Sequence, residues 1–213
     1  MQIKNGQTIL FIGDSITDCG RRGAASPLGS GYVKLFADML IIHEPGKAIT
    51  VINKGIGGDV VTGLRNRWND DVIRDKPDWL SIKIGINDLH RTLNHGQDAV
   101  PPQLYRDAYE DIITRTRTVL PKCKLLLIDP FYISTDTAPT SRRGDVLKLL
   151  PEYLRIVTDL SRKYGTLHVK THDVFQRLLK IHEPDTFCPE PVHPNPTGHL
   201  VIANAVYAAL NSK

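Results

Sequence analysis

Apolar residues gather in five short runs along the chain: TILFIG (8–13), ITVINK (49–54), WLSIKIG (79–85), KLLLIDP (124–130) and TLHVKT (166–171). Runs of this length read as buried strands. Between them lie longer stretches with helical patterning, at roughly 30–43, 59–74, 101–119, 144–164 and 196–211. Strands that alternate with helices build βαβ units, whose parallel sheet is covered on both faces. The pattern therefore predicts a three-layer α/β/α fold around a five-stranded parallel sheet. No repeat, low-complexity tract or long linker divides the chain, so a single domain over residues 1–213 is expected. Loops are expected at 20–29 and 90–101.

Composition narrows the function classes. At 213 residues, 41% hydrophobic and 23% charged, the chain has the make-up of a globular protein with a full core. Its net charge of +4 is mild, and its basic residues are scattered in short pairs such as Arg21-Arg22 and Arg142-Arg143. No basic stripe interleaved with aromatics appears, which argues against a nucleic-acid partner. The apolar run before Gly13 is too short for a secretory leader, and no run approaches a membrane span. Cys19, Cys123 and Cys188 are odd in number and far apart. Reduced thiols in a cytoplasm are expected, with neither a disulfide framework nor a zinc site.

In open α/β sheets, ligands sit beyond the carboxyl ends of the strands. Gly13-Asp14-Ser15, Gly55-Ile56-Gly57-Gly58, Gly85-Ile86-Asn87-Asp88 and Pro130-Phe131-Tyr132 follow the first four strands, and a PEPVHPNP loop follows the fifth. In GDSIT, Ser15 is a candidate nucleophile if a histidine takes its proton. The plain alternative is that Asp14 and Ser15 only cap a helix. The GxSxG elbow is absent, because Thr17 stands at the second glycine. In NKGIGGD the glycines let the backbone come close to a bound oxygen and leave N–H groups free to donate, with a phosphate-binding loop or a tight turn as the rival readings. Neither GxxxxGKS/T nor GxGxxG follows the first strand, so a nucleotide site has little support.

In IGIND, Asn87 is either an oxyanion donor or an Asx-turn residue. In PEPVHPNPTGH, proline-fixed Glu190 and His193 suit a carboxylate that holds an imidazole against a serine. Asn195 and Pro196 suit the cap and first turn of the last helix, with Leu200, Ala203, Tyr207 and Leu210 on its buried face. His43, His168, His172, His182 and His199 lack partners at ligand spacing and no HExxH occurs, so no metal is expected. His90 and His95, in a loop close to Asn87, could line a pocket, and solvent exposure is the first expectation.

Taken together, GDSIT, NKGIGGD, IGIND and the ExxHP loop resemble the blocks of the GDSL/SGNH hydrolases, in the same order, from about Ile9 to Leu210. The wording FIGDSITDCGR, VINKGI, KPDWLSIKIGIND and PFYI is most similar to the intracellular acetyl xylan esterases of that family. The resemblance implies a flavodoxin-like fold that works without metal or cofactor. It implies Ser15 as nucleophile, His193 as general base and then acid, and an oxyanion hole from the N–H groups of Ser15 and Gly58 with the Asn87 side chain. It also implies an ester substrate, a small molecule or an oligosaccharide, and relatives that often form homo-oligomers.

Two features test the match. The family usually places aspartate three residues before the histidine, whereas this chain has Glu190, one methylene longer, with Asp185 as the alternative acid. Asp59 adds a carboxylate beside the expected oxyanion site, tolerable only if it is paired or points away. The expected activity is removal of acetyl groups from carbohydrate. The rivals are a lysophospholipase or thioesterase acting on longer acyl chains, and a flavodoxin-like protein that only binds phosphate or sugar.

Overall fold

The computed structural model describes residues 1–212. Five parallel strands form one sheet: β1 (Thr8–Gly13), β2 (Thr50–Asn53), β3 (Trp79–Lys83), β4 (Lys124–Ile128) and β5 (Leu167–Val169). Their order is β2-β1-β3-β4-β5. Residues 9–12 of β1 are wholly buried, as are Leu80 and Ile82 of β3, which is why these strands read as unbroken apolar runs. After β1 the chain pairs β2 on one side and then places β3 on the other. Loops leaving β1 and β3 at their carboxyl ends therefore splay apart and open the crevice where such sheets bind ligands.

Helices cover both faces. The short α1 (Ser15–Asp18), α2 (Tyr32–His43), α7 (Thr171–Leu178) and α8 (Pro196–Asn211) pack together on one face. The other face carries α3 (Val61–Trp68), α4 (Ile86–Leu93), α5 (Pro102–Val119) and α6 (Arg142–Tyr164). Trp68 is fully buried and its indole N–H donates to Thr116 Oγ1 at 3.0 Å, joining α3 to α5. The helix expected over 59–74 is α3 continued by a π-turn at Asn69–Ile73, where the Arg74 N–H reaches back to the Asn69 carbonyl.

Three expectations need correcting. The loop placed at 90–101 starts inside α4, and α7 has no counterpart in the sequence reading. Both helices are eight residues long, too short for a periodicity to stand out. The buried face of α8 is His199, Ile202, Ala203, Val206 and Leu210, while Leu200 is 51% exposed and Tyr207 is only half-buried. Counting only apolar residues shifts the stripe by about one position, because the buried residue in the first turn is a histidine. His199 finds hydrogen-bonding partners in the fold: its Nδ1 accepts the Tyr32 N–H at 3.2 Å, and its Nε2 lies 3.5 Å from Cys19 Sγ. Burial, reinforced by Lys83 and His193, pushes this imidazole down to about 4, so it is neutral at pH 7 with Nε2–H directed at the thiol.

Among the described residues no helix is long and apolar enough to cross a membrane, and no group of acidic, histidine or cysteine side chains has the arrangement of a metal site. The three cysteines are free.

Candidate active site

β1 ends at Gly13, and Asp14 turns the chain into α1, with Oδ1 accepting the Ile16 N–H at 3.0 Å. Asp14 is thus the cap that the plain reading expected, and the cap fixes Ser15 as the first helical residue. Ser15 Oγ lies 2.9 Å from His193 Nε2, and His193 Nδ1 lies 2.5 Å from Glu190 Oε1. The helix cap at Asp14 and the serine–histidine contact therefore coexist in GDSIT.

Glu190 reaches the imidazole by folding over its own turn. Its Oε1 also accepts the His193 backbone N–H at 2.7 Å, and its Oε2 accepts that of Val192 at 3.0 Å. Burial alone would raise this carboxyl, but the two N–H groups and the imidazole outweigh it and hold it below the usual glutamate range. Asp185 sits in a one-turn 3₁₀ segment, Pro184–Thr186, and it is its carbonyl that is tied to the Asn195 side chain. The loop is held from both ends: the Ile133 N–H donates to the Pro191 carbonyl at 2.9 Å, and Asn195 caps α8 through the Gly198 N–H at 3.0 Å.

The glycine loop after β2 lies against the serine turn. Asn53 accepts the Gly55 N–H at 2.8 Å and donates to the Thr17 carbonyl at 2.6 Å. The Ile56 N–H donates to the Gly13 carbonyl at 3.0 Å, and the Gly57 N–H to Asp18 Oδ2 at 3.0 Å. A Cβ added to Gly57 would stand 4.0 Å from that of Ser15. Gly58 has φ +76°, a conformation that only glycine adopts readily. Neither the Gly58 N–H nor the Ser15 N–H finds a partner among the described residues.

Asn87 follows Gly85, whose φ of +135° and contacts with Tyr105 and Pro130 leave no room for a side chain. The Asn87 amide spends one hydrogen on the Asp59 carbonyl at 3.0 Å and keeps the second. Arg91 donates to the Gly58 carbonyl at 3.1 Å. The Asp59 carboxylate pairs with Arg67 at 2.8 Å and accepts the Val60 N–H at 2.9 Å.

Two buried groups beneath the site escaped the sequence reading. Lys83, at the end of β3, is fully buried, with Nζ 3.5 Å from Asp14 Oδ2 and over the Phe131 ring. Burial pushes its ammonium down, against the pull of Asp14. Asp88 is buried too, and its carboxyl is pushed up to about 7, mainly by burial. A lysine inside an apolar run was the only available signal. Lys83→Met should cost about 3–5 kcal/mol in urea denaturation, because Asp14 is left buried without its counter-charge. Asp14→Asn with Lys83→Met should recover much of that loss, whereas equal losses in the two variants would show that the pair is uncoupled. His90, expected in solvent, is half-buried edge-on to Tyr132 at 6.1 Å, and burial and then Arg142 push its imidazole down. His95 is exposed as expected.

Residues 11–201 match the sequence profile of the GDSL-like lipase/acylhydrolase family. The chain is 37% identical to an acetylxylan esterase of Geobacillus stearothermophilus, over 96% of this chain and 94% of that protein. The crystal structure of Axe2, an acetylxylan esterase from Geobacillus stearothermophilus, superposes with a TM-score of 0.89 at 35% identity, over 100% of this chain and 98% of the other. LAE5, an alpha/beta hydrolase enzyme from the metagenome of Lake Arreo, Spain, gives a TM-score of 0.88 at 30% identity, with 100% of both chains covered. The flavodoxin-like sheet order and this likeness together identify the SGNH hydrolase fold. On this match the chain belongs to the GDSL-like lipase/acylhydrolase family and is a carboxylic ester hydrolase.

Proposed function

We propose that this chain is a serine esterase that removes short acyl groups, above all acetyl, from carbohydrates such as xylo-oligosaccharides. The observation that carries the reading is the unbroken relay from Ser15 Oγ through the His193 ring to Glu190, at 2.9 and 2.5 Å. His193 Nε2 takes the Ser15 proton as Oγ attacks the ester carbonyl. The carbonyl oxygen becomes an oxyanion and is met by the N–H groups of Ser15 and Gly58 and by the free Asn87 amide hydrogen. Collapse breaks the ester bond, and His193 returns the proton to the leaving sugar oxygen. Water, activated by the same imidazole, then releases acetate and restores Ser15.

Acetyl transfer from sugar is favoured over long-chain lipolysis by the relative's substrate and by the openness of the site. The side chains of His193 and Glu190 are 59% and 48% exposed, which suits a hydrated oligosaccharide better than an acyl chain that needs an apolar tunnel. The free thiols support a cytoplasmic location. Acetate release from acetylated xylo-oligosaccharides, beside p-nitrophenyl acetate, butyrate and octanoate, tests the reading. The expected result is rapid deacetylation with kcat/KM falling steeply beyond propionyl. A preference for octanoyl would transfer the chain to the lipolytic class, and no turnover together with no fluorophosphonate adduct on Ser15 would leave a binding protein.

A further inference from the structure

We propose that Arg67, acting through Asp59, is a positioning residue that locks the oxyanion loop to the nucleophile turn; this rests on the esterase reading above. The Arg67 guanidinium sits between three segments that α3 brings together. Its Nε donates to Asp59 Oδ2 at 2.8 Å, and Nη1 to the Lys54 carbonyl at 2.8 Å and to Asp71 Oδ2 at 2.6 Å. Its Nη2 donates to the Gly13 carbonyl at 3.3 Å. Gly13 is two residues before Ser15, and Asp59 is the residue after Gly58. One planar cation therefore fixes both sides of the space between the nucleophile and its oxyanion donors, a task for which a rigid fork is suited and a lysine is not.

The Asp59 end of the clamp is also built in. Its side chain is 11% exposed, and Oδ1 takes the Val60 N–H at 2.9 Å. The local sequence makes room for it: a Cβ on Gly63 would lie 1.8 Å from Asp59 Oδ1. Gly63 lies within α3, where alanine would ordinarily be the better helix former. The space that alanine needs is filled by the carboxylate. The Asn87 and Arg91 side chains hold the Asp59 and Gly58 carbonyls at 3.0 and 3.1 Å. With Arg67 added, the loop that presents the Gly58 N–H is tied at both ends, at the Lys54 carbonyl and at the Asp59 side chain.

Two variants break the clamp by different routes. Arg67→Lys keeps the charge but cannot span the four acceptors, whereas Gly63→Ala keeps Arg67 and Asp59 and displaces the carboxylate. Each is measured for kcat, KM, melting temperature and inhibition by methylboronic acid, which forms a tetrahedral adduct on the serine with an oxygen in the oxyanion site. A loop misplaced by about an ångström should lower kcat about 10–10²-fold with KM nearly unchanged. Boronate affinity should weaken by the same factor in both variants, independently of any change in melting temperature. If Arg67→Lys does not fold, Gly63→Ala alone decides. Variants that melt lower but keep wild-type kcat and boronate affinity would reduce the cluster to a structural role and overturn the proposal. Wild-type protein that neither hydrolyses esters nor binds boronate would instead bring down the esterase reading and the clamp with it.

Discussion

Ser15→Ala is expected to lower the turnover of acetylated xylo-oligosaccharides by about 10⁶, with KM little changed. The substitution removes one oxygen, whose one side-chain partner in the structure is His193 Nε2 at 2.9 Å. Without it, His193 has no hydroxyl to deprotonate and no acyl-enzyme can form. What remains is the modest advantage of the oxyanion donors acting on a water. His193→Ala should cost a similar factor, and the double variant little more, because the two side chains act as a unit. Folding should be nearly untouched: Ser15 opens a four-residue helix whose cap is Asp14, and alanine is a good helix former there. Matched melting temperatures would show that the loss is chemical. Acetate release by Ser15→Ala within tenfold of wild type would remove Ser15 as the nucleophile.

The sheet was legible because it is buried on both faces. Such strands are written as apolar runs, and all five runs fall on strands. The candidate site was legible in its residue types, since Ser15, Gly58 and Asn87 follow the ends of strands that the pattern had placed and His193 stands just before the last helix. What connects them was hidden, because those contacts join positions far apart in sequence. Arg67 to Gly13, Asn87 to Asp59 and His199 to Tyr32 are separated by 54, 28 and 167 residues. A hydrophobic pattern also assigns polar side chains to the surface. Lys83, Asp88 and His199 are buried because each meets a charge or a hydrogen-bonding partner that spacing alone does not reveal. Asp59 shows the same limit from the other side: as a lone carboxylate it looked harmful to an oxyanion hole, and beside Arg67 it becomes part of the frame.

Glu190→Gln should lower kcat by about 10⁴, the scale seen when a triad acid loses its charge but keeps its shape. Asp185→Asn, made in parallel, should leave turnover unaltered. The asymmetry follows from the turn. Glu190 Oε1 receives both the Nδ1–H and the backbone N–H of His193, so the carboxylate is placed by the residue it serves. Glutamine can accept one of those bonds, but it offers no charge to the imidazolium that forms as Ser15 attacks. Its amide hydrogens also favour the tautomer that puts the His193 proton on Nε2, facing the serine. Glu190→Asp tests the geometry rather than the charge, since it withdraws the carboxylate by about 1.5 Å, one carbon–carbon bond. A turn built around the longer side chain should then lose activity, although most of the family uses aspartate. If Glu190→Gln keeps wild-type turnover and Asp185→Asn does not, the acid has been misassigned, and the contact at 2.5 Å serves only to fix the loop.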